Sequence, residues 1–194
     1  MIILNKKLLR KEILTKRSLL TQENIQEYSN KIQNTLYEMD EYKNAKRIMC
    51  FVSNGSEVDT HPLIDRAILD GKSIVVPITV SKTKELLVSD LFSLSELEVG
   101  FYNIEVPKKE FLRLVDPRTI DLVLVPGVAL AKDGYRVGYG GGYYDRFLAK
   151  LDSSIPKIAL GFDLQVVDEV PTEHFDISVD LILTEKGIID CSKK

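Results

Sequence analysis

Residues 131–150 read AKDGYRVGYGGGYYDRFLAK, and the fold turns on this stretch. Gly138, Gly140, Gly141 and Gly142 fall within five positions, with Arg136 before them and Tyr143, Tyr144 and Asp145 after. Upstream, the apolar run 122–125 closes on Pro126 and Gly127. Downstream, Phe147, Leu148 and Leu151 recur at helical spacing. The order is therefore strand, long glycine loop, helix. Glycine lets a backbone approach a ligand closely and adopt positive φ, and a helix start offers free N–H groups to an anion. The stretch is a candidate phosphate cradle.

Two better-known phosphate signatures do not apply. A Walker loop needs a glycine five residues before its Gly-Lys-Ser, but Gly71-Lys72-Ser73 has Arg66 there and runs from helix to strand. The dinucleotide fingerprint needs a third glycine three after the second; from Gly138 and Gly140 that position is Tyr143. The loop over 126–142 is long for a compact domain, where such length usually serves function. With Arg136 and a helix start beside it, we read it as a phosphate site in preference to a mobile turn.

The remaining sequence supplies a sheet around this loop. The spacing predicts a helix over 4–20, with Leu9, Ile13 and Leu20 as a narrow stripe and Lys6, Arg10 and Arg17 on or beside it. Each cation alone reads as a snorkelling side chain with a packed stem. Thr21 can cap a second helix bearing Ile25, Tyr28, Ile32 and Leu36. Strands are expected at 46–52, 73–78, 121–125, 157–161 and 180–184, with a possible edge strand at 86–88. A helix over 62–70 would be capped by Asp59 or Thr60 and ended by Gly71. Residues 166–170 begin a connection, and 91–97 form a short helix or loop. Alternating strands and helices predict one α/β domain over residues 1–194, an open, mostly parallel sheet with helices on both faces, a Rossmann-like three-layer sandwich.

Composition narrows the function classes. The net charge of −3 gives no global attraction to nucleic acid or anionic lipid, so a basic function must be local. Cys50 and Cys191 cannot form a CxxC pair, which argues against a disulfide framework or thiolate zinc site and for a reducing compartment. No apolar run reaches the length of a membrane span, and the start shows no secretory pattern. The expectation is a cytoplasmic monomer with no nucleic-acid or membrane partner. His61 and His174 have no paired nucleophile at a recognisable spacing, which disfavours a triad. For Asp145 two roles stand side by side: interaction with the helix dipole, or a carboxylate ligand to Mg²⁺ beside a phosphate.

Arg136-Val-Gly-Tyr-Gly-Gly-Gly-Tyr-Tyr-Asp145-Arg146 closely resembles the signature of the 5-formyltetrahydrofolate cyclo-ligase family, also called methenyltetrahydrofolate synthetases. Three further segments match in order: Lys6-Lys-Leu-Leu-Arg10, Ser56-Glu57-Val-Asp-Thr60, and Phe175-Asp176 through Asp180-Leu-Ile-Leu-Thr-Glu185. At Ile104-Glu105-Val106-Pro107 the sequence departs from the adjacent Glu-Pro usual in the family. The resemblance implies ATP- and Mg²⁺-dependent closure of 5-formyltetrahydrofolate to 5,10-methenyltetrahydrofolate, releasing ADP and phosphate. The formyl oxygen would be phosphorylated, N10 would attack the formyl carbon, and phosphate would leave.

Carried over by position, the resemblance implies ATP contacts from Lys6 and Arg10 and from Arg136, Val137, Gly138, Tyr139, Gly140, Gly141, Gly142, Tyr143 and Tyr144. It implies folate contacts from Val52, Glu57, Tyr139, Gly140, Gly141, Gly142 and Tyr143, and Mg²⁺ carboxylates from Asp145 and Asp180. Arg136, Tyr143 and Asp145 would be the catalytic positions. Some members are basic where this chain has Tyr139. Without the resemblance, Glu57 reads as a turn acid and Asp180 as a solvated strand end. Two rival functions share the expected sheet: a phosphosugar isomerase needing no ATP, and a nucleotide-sensing module without a folate pocket.

Overall fold

The structure, a computed structural model, describes residues 5–100 and 103–192. The first residue of the helix expected over 4–20 lies outside them. Asn5 caps helix α1 (Lys6–Arg17) by accepting from the Lys7 N–H. Thr21 caps α2 (Gln22–Glu38) through a reciprocal capping box with Asn24. A one-turn helix α3 (Asp40–Asn44) leads into strand β1 (Arg47–Met49). Helix α4 (His61–Leu69) follows and ends at Gly71, whose φ is +78°. Of the two caps expected for it, Asp59 makes the bond, accepting from the His61 N–H. Thr60 instead gives its hydroxyl to the Phe51 carbonyl.

Strands β2 (Ser73–Val80) and β3 (Glu85–Leu91) form an antiparallel pair, and β4 (Leu97–Val99) pairs with β5 (Glu105–Pro107) in a separate ribbon. The chain then runs through β6 (Leu122–Val125), β7 (Ala129–Ala131), β8 (Arg136–Val137), α5 (Tyr143–Leu148) and β9 (Lys157–Leu160). It closes with β10 (Val166–Val167), β11 (Leu181–Thr184) and β12 (Gly187–Asp190). The main sheet has the order β12-β11-β9-β6-β1-β2-β3. Its five central strands are parallel, and antiparallel β12 and β3 flank them.

Period-2 alternation assigns the two faces. Ile48, Ile74, Val76, Leu122, Leu124, Ile158 and Leu160 pack with Ile25, Ile32, Leu36, Leu63 and Ile64 of α2 and α4. Met49, Val75, Val123, Val125, Ala159 and Ile182 point the other way, onto Phe147 and Leu148 of α5. Helices therefore cover both faces, as expected. Helix α1 has only Leu9 and Ile13 as buried apolar residues, and these pack on Val128, Ala129, Ala131 and Val137 of the β7–β8 hairpin.

Three expectations are corrected. The loop over 126–142 contains the β7–β8 hairpin, which β10 extends into a three-stranded sheet. Its strands are too short and too rich in small residues to register without their partners. Residues 187–190, where no strand was expected after 180–184, form edge strand β12 through a tight turn at Gly187. The strand expected over 46–52 is only three residues long, because its pairing with β6 ends at Met49↔Val123 and the chain leaves the sheet there.

The hairpin turn rests on Gly134, whose φ is +89° and whose added Cβ would lie 2.3 Å from the Val179 carbonyl oxygen. Gly134→Ala should cost about 2–4 kcal/mol from the left-handed conformation and the overlap together. Gly55→Ala, also at positive φ but facing open space, should cost about 1–2 kcal/mol. Urea unfolding of the two variants checks this, and equal losses would show that the carbonyl contact is not felt.

Candidate functional site

Strand order fixes where a crevice must open. From β1 the chain proceeds through α4 to β2 on one side, and from adjacent β6 it proceeds through α5 to β9 on the other. The connections leaving the carboxyl ends of β1 and β6 thus diverge, and open α/β sheets bind ligands at such a switch point. Residues 50–60 form one wall and the glycine loop the other. Beside residues 50–60 lies a narrow recess, too tight to hold a water molecule, lined by Phe51, Glu57, Val58, Pro126, Gly127, Leu160, Gln165 and Arg17. A usual small-molecule site is larger, roughly 300–1,000 Å³.

Tyr139 spans the mouth of this recess. Its hydroxyl donates to Glu57 Oε1 at 2.5 Å and accepts from Arg17 at 2.7 Å. The residue is 55% exposed overall, while burial of the hydroxyl end and the charge of Glu57 push its pKa upward. Glu57 itself is buried, and its second oxygen accepts from the Asn54 N–H at 2.8 Å. Arg17 also donates to Ser56 at 3.1 Å and is 3% exposed. The snorkelling expected of Arg17 is therefore overturned: its head, not only its stem, is buried. Its position seven residues after Arg10 was the available signal, since that spacing shares a helix face.

Helix α1 meets the glycine loop through Arg10, whose Nε donates to the Gly138 carbonyl at 2.7 Å. Gly140 adopts a φ of +104°, and a Cβ there would lie 3.4 Å from the Arg10 guanidinium. Lys6 does not touch the loop. It pairs with Asp176 at 2.7 Å and Glu173 at 3.5 Å. Arg146 closes the loop from the far side, donating to the carbonyls of Gly141 and Lys84. Helix α5 is only six residues long and Gly142 caps it without a side-chain bond, so its dipole is weaker than a full-length helix would supply.

Arg136 is buried in β8, with its guanidinium directed inward to the Ile177 carbonyl at 2.5 Å and to Asp145 Oδ1 at 3.2 Å. Burial pulls its pKa down and Asp145 opposes that pull. The same Asp145 oxygen accepts from the Ile177 N–H at 3.1 Å, so the segment that holds Lys6 also orients Asp145. Ile177 was not a sequence candidate, because its part is played entirely by backbone. Asp145 Oδ2 has no protein partner among the described residues, and the side chain is 23% exposed. That arrangement fits one carboxylate ligand to Mg²⁺, with phosphate oxygens and water completing the shell.

Asp180 is placed differently. It precedes β11, level with the start of β9, and its Oδ2 accepts from the Lys157 N–H at 2.7 Å. It shares no partner with Asp145, and among the described residues no group of three or more His, Cys, Asp or Glu forms a metal cage. Val137 and Val52 are buried. Tyr143 lies with its ring against Gly141, where a Cβ would be 2.5 Å away. Cys50 is buried, which pushes its thiol up, and Cys191 is a separate free thiol. His174 lies edge-on to Phe175 and touches none of these groups.

His61 sits beside the β1 connection between two acids, Nδ1 at 2.9 Å from Asp59 and Nε2 at 2.5 Å from Glu105. It thereby ties α4 to the β4–β5 ribbon. Asp59 first, then Glu105, raises its pKa to about 9, against the opposing effect of burial.

A family model for the 5-formyltetrahydrofolate cyclo-ligase family matches residues 3–185. The Escherichia coli K12 5-formyltetrahydrofolate cyclo-ligase is 28% identical over 178 residues, covering 91% of this chain and 98% of that one. The mouse 5-formyltetrahydrofolate cyclo-ligase is 30% identical over 155 residues, covering 75% and 76%. The NMR structure of Aquifex aeolicus 5,10-methenyltetrahydrofolate synthetase superposes with a TM-score of 0.83 at 31% identity, covering 97% of this chain and 94% of that one. No helix among the described residues is long and apolar enough to cross a membrane.

Because the folded pKa of His61 lies above the 6.5 of an ordinary histidine, its contribution to stability is complete below about pH 6.5 and is lost as pH rises through about 9. Thermal melts from pH 6 to 10 should show a decline in that window for the native chain, and a shallower one for His61→Gln. Parallel curves would remove the charged acid–His–acid bridge from the account.

Proposed function

The chain belongs to the 5-formyltetrahydrofolate cyclo-ligase family, a family of ligases, and from that premise we propose that it closes 5-formyltetrahydrofolate to 5,10-methenyltetrahydrofolate at the expense of ATP. One observation carries the reading. The glycine loop touches a guanidinium suited to phosphate, Arg10 at Gly138, and a carboxylate suited to pterin N–H groups, Glu57 at Tyr139, within two residues of each other.

In this reading Arg10 and the loop amides hold the triphosphate, with Lys6 joining them once it leaves Asp176. Glu57 accepts hydrogen bonds from the pterin after Tyr139 gives up its place, and Val52 and Tyr143 wall the ring. The γ-phosphoryl group passes to the formyl oxygen, N10 attacks the formyl carbon, and phosphate departs. Such transfer depends on positioning and charge neutralisation more than on covalent help. Mg²⁺, when bound, would neutralise charge on the phosphate oxygens, and Asp145 would be the carboxylate that holds it. Arg136 fixes Asp145 from beneath and does not itself reach the phosphate. Asp180 acts on the fold, by tying β9 to β11, and is a poorer ligand.

Purified protein with 5-formyltetrahydrofolate, ATP and Mg²⁺ should generate the absorbance of the methenyl product; ATP loss without that product would reject the activity. Glu57→Gln should weaken folate binding by roughly ten- to a hundredfold and leave MgATP binding near its native value. Asp145→Asn should do the reverse, and it should also lower stability by about 3 kcal/mol, because Arg136 loses its buried counter-charge. Calorimetric titration with each ligand and denaturant melts separate the two variants, and equal losses for both ligands in both would refute the division of roles.

A further inference from the structure

Arg17 is the last residue of α1, and it is 3% exposed. It lines the narrow recess together with Glu57. Among the described residues its partners are two hydroxyls, Ser56 at 3.1 Å from Nε and Tyr139 at 2.7 Å from Nη2, and no carboxylate pairs with it directly. A guanidinium carries five N–H donors and keeps its charge throughout the physiological range. Burying one against neutral partners alone is costly, so packing gives no reason for this cation to stand where it does.

One oxygen separates Arg17 from Glu57. Tyr139 Oη donates to Glu57 Oε1 at 2.5 Å while it accepts from the guanidinium. The two charged groups thus present an acceptor and a donor to the same point. An amide edge has the complementary pattern, with N–H and C=O on adjacent atoms, and a 2-amino-4-oxo pterin carries that edge on a flat ring. Tyr139 is itself a flat ring that gives a proton to the acid and accepts a hydrogen bond from the cation. Because it is more than half exposed, its ring can turn to solvent without disturbing the core. Arg10, the cation suited to phosphate, lies roughly 10 Å back along α1 and contacts Gly138 instead.

We propose that Arg17 is a substrate-binding residue that donates to the ring carbonyl oxygen of the pterin while Glu57 accepts from the neighbouring N–H, the ligand edge taking the place of the Tyr139 hydroxyl. This rests on the folate reading above, and it adds Arg17 to the residues that the sequence resemblance supplied.

The test compares two ligands on native and variant chains: 5-formyltetrahydrofolate and its 4-amino analogue, in which an amino group replaces the ring carbonyl. Calorimetric titration gives the ratio of the two affinities for each chain. Arg17→Met should weaken 5-formyltetrahydrofolate by roughly ten- to a hundredfold and shift the ratio towards the amino analogue by about tenfold, with MgATP affinity near its native value. An Arg17 that only docks α1 and Tyr139 would weaken both ligands equally, so an unchanged ratio overturns the proposal. A loss confined to MgATP overturns it as well, since Arg17 would then serve the phosphates. If Arg17→Met does not fold, Arg17→Lys carries the same test, because it keeps the charge and loses the planar fork. A ratio displaced towards the amino analogue supports the assignment, and the native ratio overturns it. Should the native chain bind no 5-formyltetrahydrofolate, the folate reading falls and this assignment with it. Native binding with an unchanged ratio in the variants removes the assignment of Arg17 alone.

Discussion

The parallel pairing of β1 with β6, Ile48 against Leu122 and Met49 against Val123, is the constraint on which the site depends. Neighbouring parallel strands that send their crossovers in opposite directions cannot cover the gap between their carboxyl ends. The chain uses the gap twice over. It ends β1 early, so that residues 50–60 turn away from the sheet, and it follows β6 with a hairpin that returns the glycine loop to the same place. Neither wall is assembled without the other. The bond between Tyr139 and Glu57 joins segments 82 residues apart.

Helix α1 shows how weak apolar packing is compensated. Two buried apolar residues are a thin anchor for twelve residues of helix, which alone would be marginal in water. Leu14 adds a partly buried contact to the same cluster, and the other attachments are polar: Arg10 on Gly138, Arg17 on Tyr139 and Ser56, Lys6 on Asp176. The helix is thus docked largely through its cations.

Buried charge beneath the loop is arranged for orientation. Arg136 would be costly to bury alone. It is tolerated because Asp145 and the Ile177 carbonyl neutralise and satisfy it, and in return it fixes one oxygen of Asp145 and leaves the other uncommitted. The family pattern would make Arg136 catalytic; in this geometry its guanidinium is directed to the Ile177 carbonyl and to Asp145. The crevice is also tighter than an open phosphate cradle, because a residue of the loop itself, Tyr139, rests across it.

The sequence by itself determined the alternation of strands and helices, the cap at Thr21, the pair Asp59 and Thr60 ahead of α4, the helix stop at Gly71 and the glycine loop with Arg136 and Asp145 on either side. These are local signals: periodicity, capping chemistry and backbone freedom act within a few residues. It also carried the family pattern, and with it Glu57, which nothing local distinguishes from an ordinary turn acid. Only the tertiary structure decided what depends on partners far along the chain. Two-residue strands such as β8 and β10 exist because β7 lies between them and pairs with both. Arg17 is buried because Tyr139 and Ser56 arrive to receive it, and Ile177 orients Asp145 through backbone atoms that every residue type possesses. Tyr144 differs from Tyr143 in no local respect; the packing around it is what encloses one hydroxyl and leaves it without a partner among the described residues.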